Sequence, residues 1–156
     1  MRFRGVLAGI LLAGLLACGD RGAVCSVCER EIHPTVQVNL TMEDGSRVRT
    51  CCPRCALHFL EETGRRASGI LAADYPSGGA VPLREAFLVE GSDETPCLKH
   101  LPQVTESKSP LHFCYDRCLP SLVAFRDQAA AVAFVRDHGG TLHRPGGFPG
   151  LPPENP

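Results

Sequence analysis

The chain is poor in the features that mark most functional classes. It has no run of Lys and Arg, and its formal net charge is −1. Nothing therefore speaks for nucleic acid as a partner, because neutralising phosphates takes clustered cations. No Gly-rich phosphate loop, no HExxH-type histidine spacing and no Gly-x-Ser-x-Gly elbow occurs, and the acids near cysteine, Glu29 and Asp116, show no arrangement for acid–base work. The expectation is a protein that is not an enzyme. Methionine is almost missing: besides Met1 there is only Met42, so thioether ligands for a soft metal are scarce. Long apolar runs are missing too. The run Val6 to Leu16 has roughly 11 residues, against the ~20 that a membrane-spanning helix needs.

That short run makes sense as part of a leader. Arg2 and Arg4 precede it and Leu15-Leu16-Ala17-Cys18 closes it, which resembles the lipobox of bacterial lipoproteins. The resemblance implies removal of residues 1–17 and a diacylglycerol thioether on Cys18, with N-acylation of the new terminus. Residues 18–24 would then tether a domain to the membrane on the periplasmic side of the cell envelope. An ordinary secretory signal with a cysteine at its end is the alternative. Several acyl chains hold far more firmly than one, since each buried methylene adds ~0.8 kcal/mol.

What the chain has in quantity is cysteine, nine in all. Cys25-Ser-Val-Cys28 is answered, 22 residues later, by Cys51-Cys52-Pro53-Arg54-Cys55. Between them Thr35 to Thr41 alternates as a strand, Glu43-Asp44-Gly45-Ser46 signals a hairpin, and Arg47 to Thr50 returns. Pro53 suits the first turn of a helix, Ala56, Leu57, Phe59, Leu60 and Thr63 follow at helical spacing, and Gly64 stops it. Thiols thus fall at a turn and at a strand–helix junction, a treble-clef-like arrangement.

Cys51 and Cys55 lie one helical turn apart and can face one point, leaving Cys52 aside; alternatively Cys52 and Cys55 are the pair and Cys51 is spare. A helix start lowers a thiol pKa, favouring the thiolate that binds metal. The candidate ligands are Cys25, Cys28, Cys51 and Cys55, with Cys52 as a further candidate. Thiolates select copper(I) or zinc(II). An even number of thiols outside the cytosol also fits a disulfide framework. The spacing resembles the TRASH metal-binding motif of metal sensors and transporters.

A strand over Ile70 to Tyr75 precedes a break at Pro76-Ser77-Gly78-Gly79. Arg84 to Glu90 is the next strand, and Leu122 to Phe125 is a strand or a helix entry. Asp127 caps a helix over Gln128 to His138, Gly139-Gly140 ends it, and Thr141 to His143 begins a last strand. Residues 144–156 are rich in Pro and Gly and are expected to be disordered. Cys114-Tyr115-Asp116-Arg117-Cys118 echoes the Cys-x2-Arg-Cys of residues 51–55, as duplication of one clasp would. A second site of Cys97, Cys114 and Cys118, with His100 or His112, follows from that echo; a disulfide from Cys97 competes with it. His33 and His58 are outside candidates. The fold class is α+β, with two small ββα(β) units at 25–76 and 80–143.

The order of features resembles the NosL-type lipoproteins, accessory proteins that deliver copper to nitrous oxide reductase. It does so through the lipobox, the Cys-x2-Cys opening, Ala86-Phe87-Leu88-Val89-Glu90-Gly91, Val123-Ala124-Phe125, the helix Ala129 to His138 and Gly139-Gly140. The resemblance implies two ββα-type units, copper(I) binding, and delivery to an exported cuproenzyme or other metal acceptor. Family members commonly read Cys-Gly-Met at the second knuckle cysteine, where this chain has Cys28-Glu29-Arg30. That difference implies coordination by thiolates alone. The rival reading is a structural or interaction lipoprotein held by disulfides or a closed zinc site.

Overall fold

A computed structural model describes residues 23–98 and 116–153. Their order is β1 (Val38–Met42), β2 (Arg47–Thr50), α1 (Pro53–Thr63), β3 (Ala67–Ala73), β4 (Ala80–Pro82), β5 (Phe87–Glu90), β6 (Leu122–Phe125), α2 (Gln128–His138) and β7 (Thr141–His143). A 3-10 turn spans Pro96–Leu98. The class is α+β, as expected, and both sheets are antiparallel: β2-β1-β3-β4 and β6-β5-β7. No helix among the described residues is long and apolar enough to cross a membrane.

Local signals account for the first unit. Val38, Leu40 and Met42 point inward from β1, as Val48 and Thr50 do from β2, the period-2 pattern of a sheet with one buried face. Gly45 takes φ 80 in the connecting turn. Pro53 opens α1, and Gly64 closes it in the left-handed conformation with its N–H on the Leu60 carbonyl. The first strand begins three residues later than the sequence suggests. There the backbone of His33 accepts from Val36 and Gln37 in a turn.

The second unit is covered on two sides. Leu88, Leu122 and Ala124 belong to the main core with Val38, Leu40, Ala56, Leu57 and Leu60. Val89, Val123 and Phe125 face the other way, onto Ala131 and Phe134 of α2. All four residues of β6 are buried, which removes alternation and explains why periodicity alone leaves strand and helix open there. Asp127 caps α2 by accepting from the Ala130 N–H at 2.9 Å.

Several expectations need correction. The strand placed at 70–75 runs Ala67–Ala73, because pairing with β1 recruits Ala67 and Gly69, and Asp74 to Gly79 closes a turn beyond it. Residues 84–86 form a turn before β5. β4 lies past the break at 76–79 yet pairs with β3, so residues 80–82 join the first sheet. Residues 144–153, expected to be disordered, are mostly exposed but anchored at one ring. Phe148 is only 6% exposed and lies in the main core, edge-on to His143 at 5.0 Å and under the Arg54 guanidinium at 5.5 Å. Arg84 donates to the Pro152 carbonyl. One aromatic anchor outweighs the Pro/Gly composition around it.

A candidate metal centre of clustered cysteines

The knuckle is held by its backbone. Cys25 N–H donates to the Arg30 carbonyl at 2.8 Å and Glu29 N–H to that of Cys25 at 3.0 Å. Glu29 sits at φ 59, in the left-handed region. Gly is the residue that takes this conformation without strain. Ser26 N–H and Oγ both reach the Arg49 carbonyl at 3.1 Å, pinning the knuckle to β2. The end of β2 and the start of α1 then carry Cys51, Cys52 and Cys55 beneath it.

Cys25, Cys28, Cys51 and Cys55 offer sulfurs that all lie within 4.8 Å of one another, a group that can hold a metal ion. Cys28 to Cys51 is 3.5 Å and Cys51 to Cys55 is 3.6 Å. Four thiolates around a metal at ~2.3 Å form a tetrahedron with edges of about 3.8 Å. A disulfide would need ~2.05 Å, and the seven described cysteines are free. The donor set is sulfur alone, which fits a soft ion such as copper(I) or zinc(II).

Cys118 does not stand in a separate site. Its Sγ lies 3.6 Å from Cys51, 3.7 Å from Cys55 and 3.9 Å from Cys28. With Cys51, Cys52 and Cys97 it forms a second four-sulfur group. Of the expected second site, Cys97 and Cys118 fall in this second group, which shares Cys51 with the first clasp. Nor does Cys118 repeat the strand–helix junction of Cys55, since a turn and then β6 follow it. Cys114, His100, His112 and Cys18 lie outside the described residues. Neither His33 nor His58 enters either group. His58 faces a cavity of about 590 Å³ with Arg54, Leu57 and Phe148. Met42 is buried in the main core.

Cys25, Cys51 and Cys55 are at most 1% exposed, whereas Cys28 and Cys97 are half-buried. Each group therefore includes one partly exposed residue. Protons are divided unevenly among the thiols. Cys28 is lowered to about 3; its contact with Cys118 opposes the shift, and hydrogen bonds with Cys25, Cys51 and Cys55 outweigh it. Cys25 is lowered to about 6 by Cys51 and Cys55, against the opposing contact with Cys28. Cys118 is held low chiefly by Cys28, and Cys52 chiefly by Cys118. Cys51, Cys55 and Cys97 are pushed up, Cys118 being the largest cause for each. The direction at each sulfur follows from whether it donates to or accepts from its neighbours.

Two functional residues were not visible in the sequence. Arg30 forms a two-pronged ion pair with Asp116, 86 residues away, and its Nη1 also lies 3.3 Å from the Cys118 sulfur. Asp116 Oδ1 accepts from the Cys118 N–H at 2.8 Å. The pair locks Cys118 over the knuckle and sets a positive charge beside the thiolates. The only sequence signal was Asp two residues before Cys, which permits such a turn.

Comparison with solved structures finds the same architecture in the copper chaperone NosL from Shewanella denitrificans. The TM-score is 0.55 at 16% identity, over 78% of this chain and 86% of that one. The fold is NosL-like. No protein-family model and no curated protein matches the sequence.

Proposed function

We propose that the protein is an exported, membrane-anchored carrier that binds copper(I) through cysteine thiolates and delivers it to an exported cuproenzyme such as nitrous oxide reductase. The observation that carries this reading is the sulfur cluster, with neighbouring sulfurs 3.5–3.9 Å apart and no nitrogen or oxygen donor in either group. Cys25, Cys28, Cys51 and Cys55 are the primary ligands. The NosL-like fold supports copper as the cargo. A carrier must also release its metal, and half-buried Cys28 is the ligand that an incoming acceptor thiolate bonding to the copper would displace. The leader and Cys18 support lipid anchoring at the cell envelope.

A closed zinc site in a structural lipoprotein is the second reading, favoured by the near-complete burial of Cys25, Cys51 and Cys55. Metal content and thiol state of protein purified from the envelope, alkylated before reduction, separate the two. Copper with alkylation-competent thiols after metal removal supports the carrier. Stoichiometric zinc, or fully blocked thiols without metal, contradicts it.

A further inference from the structure

The two four-sulfur groups share one sulfur, that of Cys51. They are not copies at a distance but two halves of one cluster of seven cysteines. We infer that the cluster binds two soft metal ions at once, with the Cys51 thiolate bridging them. This rests on the metal-binding reading of the first clasp and deepens it.

Cys52 gives the first reason. It is the N-cap residue of α1, a position whose side chain ordinarily accepts from the helix N–H groups, yet it makes no capping bond. Its sulfur instead lies 3.8 Å from Cys51 and, at 4% exposure, turns away from solvent into the second group. In a one-metal site Cys52 is a spare thiol at a poor capping position. In a two-metal site it is a ligand, and adjacent Cys51 and Cys52 serve opposite halves.

Cys97 and Cys118 give the second. They arrive from the 3-10 turn and from the turn before β6, far from the knuckle in sequence, and meet Cys51 and Cys52 within 4.8 Å. A small cavity lies beside three of these residues, lined by Cys52, Cys97, Cys118 and Ser121. Cys118 also lies 3.7 Å from Cys55 and 3.9 Å from Cys28, so it closes both halves.

Two ions with four sulfur neighbours each, sharing Cys51, account for all seven cysteines of the cluster. Arg30, beside Cys118, offsets part of the negative charge that such a cluster carries. Each half has its own half-buried cysteine, Cys28 in one and Cys97 in the other.

The test is titration of the reduced full chain with copper(I) buffered by a chromophoric chelator, with metal counted by mass spectrometry. Two equivalents are expected, and X-ray absorption of the loaded protein should show a metal–metal scattering contribution. The variant with Cys52→Ser and Cys97→Ser together should bind one equivalent and lose the metal–metal contribution, with circular dichroism confirming that it folds. One equivalent in the unaltered chain, or two retained in the variant, overturns the inference while leaving the carrier reading intact. No binding at all overturns the carrier reading itself. If the variant does not fold, the metal–metal contribution in the unaltered chain decides alone.

Discussion

Replacing Asp116 by Ala tests whether the Arg30–Asp116 pair fastens the two units over the thiols. The Asp116 side chain is 8% exposed and that of Arg30 is 22%. Breaking a fully buried ion pair costs ~3–5 kcal/mol and breaking an exposed one ~0–1 kcal/mol. Arg30 is near enough to solvent to turn outward, so this pair falls between those limits, at about 1–2 kcal/mol. The Cys118 N–H loses its acceptor as well, adding about 1 kcal/mol. The sum of about 2–3 kcal/mol corresponds to a fall in Tm of roughly 10 °C for a domain of this size. Thermal unfolding of the reduced apoprotein by circular dichroism measures it. Arg30→Ala should lower Tm by a similar amount, because it leaves the buried Asp116 carboxylate without its counter-charge even though the Cys118 N–H keeps its acceptor. The double variant should fall short of the summed losses by about 1–2 kcal/mol. Losses from Asp116→Ala below ~0.5 kcal/mol, or strictly additive losses in the double variant, refute the reasoning.

Phe148→Ala should destabilise by about 2–3 kcal/mol, less than a central core truncation because the terminal segment can swing away, and should make residues 144–153 cleavable by protease in native buffer. Glu29→Gly relieves a left-handed backbone at φ 59 and should raise the denaturant midpoint by the equivalent of ~1 kcal/mol. Gly140→Ala would place a methyl 2.7 Å from the Glu90 carbonyl oxygen at φ +97, so a loss of about 3 kcal/mol, or failure to accumulate, is expected. Metal loading near pH 7 must displace the protons that Cys51 and Cys55 hold through their raised pKa values. Affinity should therefore weaken steadily as pH falls, and titration in a weak buffer should acidify the solution on metal addition.

Short-range features were legible in the sequence. The bounds of β2, α1, α2 and β7 follow from Gly45, Pro53, Gly64, Asp127 and Gly139, each of which acts on its immediate neighbours. The clasp of Cys25, Cys28, Cys51 and Cys55 was legible for the same reason, since a hairpin and one helical turn are enough to bring it together. What lay beyond reach depends on contacts across the chain. Cys118 reads as half of a duplicated motif until β5 and β6 carry it against Cys51. Arg30 and Asp116 are unremarkable surface charges until the same packing joins them. Phe148 sits in a composition that signals disorder, and only the groove beside α1 gives its ring a place. The absence of Met beside Cys28 was visible in the sequence; that Arg30 approaches another cysteine from there was not.

Thiolate coordination of copper(I) is tested most directly by competition titration of the reduced protein, comparing the unaltered chain with a variant carrying Cys28→Ser and Cys55→Ser. The account predicts that the unaltered chain strips copper(I) from the chelator and that the variant binds far more weakly, by at least a hundredfold. Equal affinities in the two, or no competition by the unaltered chain, contradict it.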